Sequence, residues 1–130
     1  MNSIIGFNNQ EKYILKNYES NNLHSSIILT GEKGIGKKSF ILELLKKIIC
    51  FNLSEVNQNH HTNLIENNTH PNFKFISREL DSKSKKLKKF ISIDQIRFLN
   101  SFISETSYLN NISKFIVIDC ADDLNLNASN

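Results

Sequence analysis

The segment Gly31-Glu32-Lys33-Gly34-Ile35-Gly36-Lys37-Lys38 constrains this chain more than any other stretch. It follows a compact apolar run, Ser26-Ile27-Ile28-Leu29-Thr30, of the kind that forms a buried parallel strand. It precedes a stretch from Lys37 to Cys50 in which Ile41, Leu44, Leu45, Ile48 and Ile49 recur at helical spacing. Glu43, Lys46 and Lys47 take the wet side of that helix. Strand, glycine bend and helix together carry the G-x-x-x-x-G-K spacing of a phosphate loop. Gly31 lets the strand turn sharply. Gly34 and Gly36 permit positive φ, so that consecutive backbone amides can point inward. Those amides and the helix N-terminus form a site for polyphosphate, and Lys37 reaches the outer phosphates as a point charge. The candidate nucleotide-binding residues are therefore Gly31, Gly34, Ile35, Gly36, Lys37, Lys38 and Ser39.

The motif departs from its pattern at one position. A Ser or Thr hydroxyl should follow the lysine and ligate Mg²⁺, and Lys38 stands there instead. An ammonium repels a cation, and Ser39, one residue on, is rotated by about 100° around the helix. The second Mg²⁺ contact of such proteins is an Asp at the end of another buried strand. Asp119, after Phe115-Ile116-Val117-Ile118, has that setting and is the candidate metal residue. The position after it, where an activating Glu would polarise water, is Cys120. Asp122 and Asp123 read as the start of the next turn or helix. The expectation is weak or Mg-independent ATP binding without hydrolysis by this chain alone.

The rest of the chain supplies further elements. Glu11 to Tyr18 suits a short amphipathic helix, and Phe73 and Phe75 alternate with polar neighbours as in a strand. Ser92-Ile93-Asp94-Gln95 has the form of a capping box opening a helix with Ile96, Leu99 and Ile103 on one stripe. Residues 52–70, rich in Asn and His, and residues 78–90, rich in Lys, read as loops. Alternating strands and helices predict a parallel α/β sheet flanked by helices, within a single domain spanning residues 1–130. No apolar run is long enough for a membrane span and no secretory signal is visible, which predicts a soluble cytoplasmic chain. Cys50, His60, His61, His70 and Cys120 lack zinc-ligand spacing, and the histidines read as solvated.

Charge is mild, with 16 basic and 13 acidic residues, but it is uneven. Lys83, Lys85, Lys86, Lys88 and Lys89 lie close together, either as a solvated basic loop or as a nucleic-acid or phosphate contact.

Taken together these residues resemble the delta prime subunit of the bacterial DNA polymerase III clamp loader, an AAA+ family. The likeness runs through Ile5-Gly6, Leu23-His24, Leu29-Thr30-Gly31, Gly34-Ile35-Gly36-Lys37 and His70-Pro71-Asn72-Phe73. It continues in Ile93-Asp94-Gln95-Ile96-Arg97, in Ile118 to Asn125, and in Asn127-Ala128-Ser129-Asn130, which looks like the start of another helix. The resemblance implies a P-loop AAA+ fold and a place in a pentamer, beside other clamp-loader subunits, the sliding clamp and primed DNA. It implies a scaffold rather than a motor, and Lys38 and Cys120 fit that. The family's four-cysteine zinc module, helical lid, collar and downstream arginine motif have no counterpart here. The expectation is a chain incomplete at its C-terminus, a truncated or split product that is marginal alone. The competing reading is a stand-alone P-loop kinase or NTPase, which would need a hydroxyl at position 38 and a catalytic base.

Overall fold

The computed structural model describes residues 6–51, 53–106, 109 and 112–130. In chain order it holds α1 (Asn8–Glu19), α2 (Lys37–Cys50), α3 (Glu55–Glu66), β1 (Phe73–Ile76), α4 (Ile93–Ser104), β2 (Phe115–Ile118) and α5 (Leu126–Ser129). A short 3-10 turn, Ala121–Asp123, precedes α5. The chain divides into two compact units, Met1–Gln58 and Asn59–Asn130. No helix among the described residues is long and apolar enough to cross a membrane.

The first unit is built on α1 and α2. The helical period seen from Lys37 to Cys50 produces a helix with those bounds, and Phe40, Leu44, Leu45, Ile48 and Ile49 are buried. Phe7, just before α1, stacks on Phe40 with ring centroids 4.7 Å apart. An ion pair between Glu11 and Lys47 ties the two helices again.

Residues 26–30 correct the strand expectation. They run outside both helices and outside the sheet, with Ile28 86% exposed. The sheet of the described residues has two strands, β1 and β2. An apolar run becomes a strand only where a neighbour accepts its backbone groups, and among the described residues none pairs with this one.

The second unit carries that sheet. β1 and β2 pair in parallel, Phe73 opposite Phe115 and Ile76 opposite Ile118, as a strand–helix–strand unit with α4 in the connection. The pairing supports the α/β class. Ser92 opens α4 with a full capping box, its hydroxyl accepting from the Gln95 amide and the Gln95 side chain accepting from the Ser92 amide. Ile76, Ile91 and Leu99 form a core completed by Ile96, Ile118 and Leu124. Ile91 is fully buried and bridges to Leu124 in parallel register. Asp122 and Asp123 fall in the expected turn, and Asn125 caps α5 by accepting from the Ala128 amide.

Within residues 52–70, read as loop, lies α3. Asn and His are weak helix formers and hide its period, but burial of His61 and Ile65, four residues apart, outweighs propensity. The histidines are correspondingly not all solvated. His70 is fully buried and His61 nearly so, with His61 Nδ1 and His70 Nε2 2.9 Å apart.

Candidate functional site: the glycine bend and its surroundings

The bend at residues 31–36 is held by glycines used for their backbone. Gly31, Gly34 and Gly36 have φ of +147°, +88° and +94°. These angles lie in the region that side chains disfavour, as the motif requires. A Cβ at Gly31 would meet the Ile35 side chain at 2.7 Å, so Ile35 packs into the space that the glycine leaves. Gly36 is the N-cap of α2 in the left-handed conformation, and no side chain caps the helix. No acidic residue stands in the first turn either. Both features leave the start of α2 without a capping side chain or carboxylate, so that an anion there would gain from the amides and the dipole.

Lys37 folds back over the bend. Its Nζ donates to the Gly31 carbonyl at 2.8 Å and to the Glu32 carbonyl at 2.7 Å. The ammonium is thus already drawn to the loop that a phosphate would occupy. Lys38 and Ser39 are exposed on the first turn. The structure brings Gly31, Gly34, Ile35, Gly36, Lys37, Lys38 and Ser39 into one surface-accessible bend in the first unit. In the same unit α1 and residues 22–29 enclose a cleft of about 530 Å³, lined by Tyr13, Ile14, Asn17, Leu23, Ile27 and Leu29 among others.

Asp119 belongs to the second unit, one residue beyond β2. Its amide donates to the Ile76 carbonyl at 2.8 Å, which extends the parallel pairing to the strand end. Cys120 follows in the left-handed conformation, φ +61°, with its thiol 3.7 Å from Asp119 Oδ1. Burial first, and then the Asp119 and Asp123 carboxylates, push that thiol above its ordinary pKa, so it is a poor nucleophile. Asp123 is engaged by Arg78, Nε to Oδ2 3.1 Å. The donor set fits a polyphosphate at the bend. It does not fit a Mg²⁺ ion bound beside the lysine, because position 38 offers an ammonium where a hydroxyl is needed. Among the described residues no three His, Cys, Asp or Glu side chains gather as a metal-holding group.

Two arrangements escaped the sequence reading. The first is the histidine pair. The Asn72 amide donates to His70 Nδ1 at 2.9 Å, so the His70 proton sits on Nε2 and is given to His61 Nδ1. Both rings are neutral. Burial, then the neighbouring His61, Lys74 and His60, push the pKa of His70 down to about 4. The adjoining Asn72 is fully buried, and its side chain reaches the Ile112 carbonyl at 2.9 Å and the Leu109 carbonyl at 3.3 Å. The sequence signal was the His70-Pro71-Asn72 triplet just before a strand. The second is the fold of the lysine segment, whose charges the sequence shows but whose bridge between Leu80 and Leu87 it does not.

No curated protein matches the chain significantly. A family model described as DNA polymerase III, delta subunit matches residues 7–130.

Proposed function

Because the chain belongs to the DNA polymerase III delta subunit family, we propose that it acts as a non-catalytic subunit of the assembly that loads the sliding clamp onto primed DNA. It contributes a scaffold to the other clamp-loader subunits in the cytoplasm. Its fold is read as the AAA+ kind, and its glycine bend as a P-loop that has kept its anion seat and lost its Mg²⁺ chemistry. The family match over residues 7–130 carries this reading. The positive-φ glycines, the uncapped start of α2 and Lys37 support weak binding of ATP through its phosphates. Lys38 and Cys120, at the two positions where hydrolysis needs a hydroxyl and a carboxylate, support a role without turnover.

The test mixes the purified chain with the remaining clamp-loader subunits and follows co-elution, then clamp loading on a primed template. Co-elution with no ATP turnover by the chain alone is expected. Mg-dependent hydrolysis by the isolated chain, or failure to join the other subunits, would overturn the assignment.

A further inference from the structure

Five lysines within residues 83–89 would repel one another in a free coil and keep it open. This segment is instead folded. Asp81 Oδ1 accepts from the Ser84 amide at 2.7 Å and the Lys83 amide at 3.0 Å. Its own amide donates to the Lys86 carbonyl at 2.8 Å, and the Lys85 amide donates back to the Asp81 carbonyl at 3.0 Å. Lys85 sits at φ +57° to make the turn. Leu80 and Leu87 bridge in antiparallel fashion, and the Lys88 amide donates to the Glu79 carbonyl at 2.8 Å. The result is a short hairpin. Its ends are anchored to the second unit by the Arg78–Asp123 pair and by Ile91, whose amide donates to the Asp123 carbonyl.

The anchoring sets the charge distribution. The Asp81 carboxylate is turned onto backbone amides, which hold its pKa below the ordinary carboxylate range. Glu79 lies 3.6 Å from Lys88. Lys83, Lys85, Lys86 and Lys89 have no carboxylate partner among the described residues, and every residue from Ser82 to Phe90 is exposed. Lys89 lies 5.2 Å from the centre of the Phe90 ring at the hairpin base.

We propose that hairpin 79–90 is a nucleic-acid contact that grips the phosphate backbone without reading sequence. Closely spaced point charges on a pre-folded support suit a polymer carrying one charge per about 1.7 Å of axis. A single aromatic at the base gives no platform for stacking successive bases. The choice of nucleic acid rests on the subunit reading above.

The experiment follows fluorescence anisotropy of labelled primed DNA, titrated with the full chain across a salt series. Replacing three lysines, K83Q/K85Q/K86Q, is expected to lower the slope of log affinity against log salt by about 2–3. Affinity should fall roughly 10-fold or more near 0.1 M salt, equally for unrelated DNA sequences, with the circular dichroism spectrum unchanged. Lys12→Gln, exposed on α1 outside the hairpin, should leave the slope alone. An unaltered slope in the triple variant would overturn the proposal. So would a loss confined to one DNA sequence, or displacement of DNA by polyglutamate or anionic vesicles at equal charge. A chain that fails to join clamp-loader subunits yet shows the slope change sinks the subunit reading and leaves this contact standing. An unaltered slope in a chain that assembles does the reverse.

Discussion

Helices α2 and α4 begin in opposite ways. At α4 the protein closes its own end, with Ser92 and Gln95 exchanging hydrogen bonds with each other's backbone amides. At α2 the N-cap is a left-handed Gly36, no side chain caps it, and no carboxylate stands in the first turn. A capped helix start is finished structure. An uncapped one, on a bend of three positive-φ glycines and beside a lysine, is where the proposed function seats an outside anion. On that proposal the difference separates a residue set that serves stability from one that serves binding, and it can be attacked from both sides.

The largest effect is expected from Lys37→Ala. Loss of the charge-assisted contact should weaken ATP binding on the order of 100-fold, about 2.7 kcal/mol, by isothermal titration. Melting should hardly move, because Lys37 donates only to two exposed loop carbonyls. Unchanged ATP affinity would erase the contrast.

Acid should come next, and it should strike a junction that the protein closes for itself. Between α3 and β1 the chain is secured by neutral His61 and His70. The folded pKa of His70, about 4, lies below the ordinary 6.5, so the unfolded chain binds the extra proton first. The contribution is complete above about pH 6.5 and is lost as pH falls toward 4. Urea unfolding at pH 7.5 and pH 5 should differ on the order of 2 kcal/mol, and His70→Gln should flatten that dependence. An equally steep curve in the variant would point to other groups.

Ser92→Ala follows, at about 1 kcal/mol of stability with ATP affinity intact. A drop in ATP affinity instead would mean that the two helix starts are not independent. The smallest effect belongs to Lys38→Thr, which restores a hydroxyl at the Mg²⁺ position. ATP affinity should become a few-fold stronger when Mg²⁺ is added, and a response equal to that of the parent chain would leave the missing hydroxyl without consequence.

How much of this could be read from the residues alone follows from the range of the forces involved. α2, the capping box at Ser92 and the turn at Asp122 and Asp123 depend on neighbours within four residues, and the structure holds them where local chemistry put them. β1 and β2 were legible as short apolar or alternating runs, and their parallel pairing followed from the helix between them. Residues 26–30 look as strand-like as residues 115–118, but among the described residues only the latter meet a partner. Strand character depends on what lies alongside, which composition does not state. α3 was hidden for the converse reason, since its support comes from burial of His61 and Ile65 rather than from local propensity. At the candidate site the glycines and Lys37 were legible by spacing. The hold of Asp81 on the lysine hairpin was not, because it depends on which amides one carboxylate turns toward.

The Lys37 ammonium rests on the Gly31 and Glu32 carbonyls, and that arrangement has a kinetic corollary. An incoming phosphate must compete with two existing hydrogen bonds before it gains the lysine, so each arrival trades one set of partners for another. The lysine's gain from a phosphate would be offset in part by the two bonds it gives up. If the bend binds ATP as proposed, a nucleotide would find its lysine already committed to the protein's own backbone, and occupancy would follow the nucleotide's concentration rather than persist.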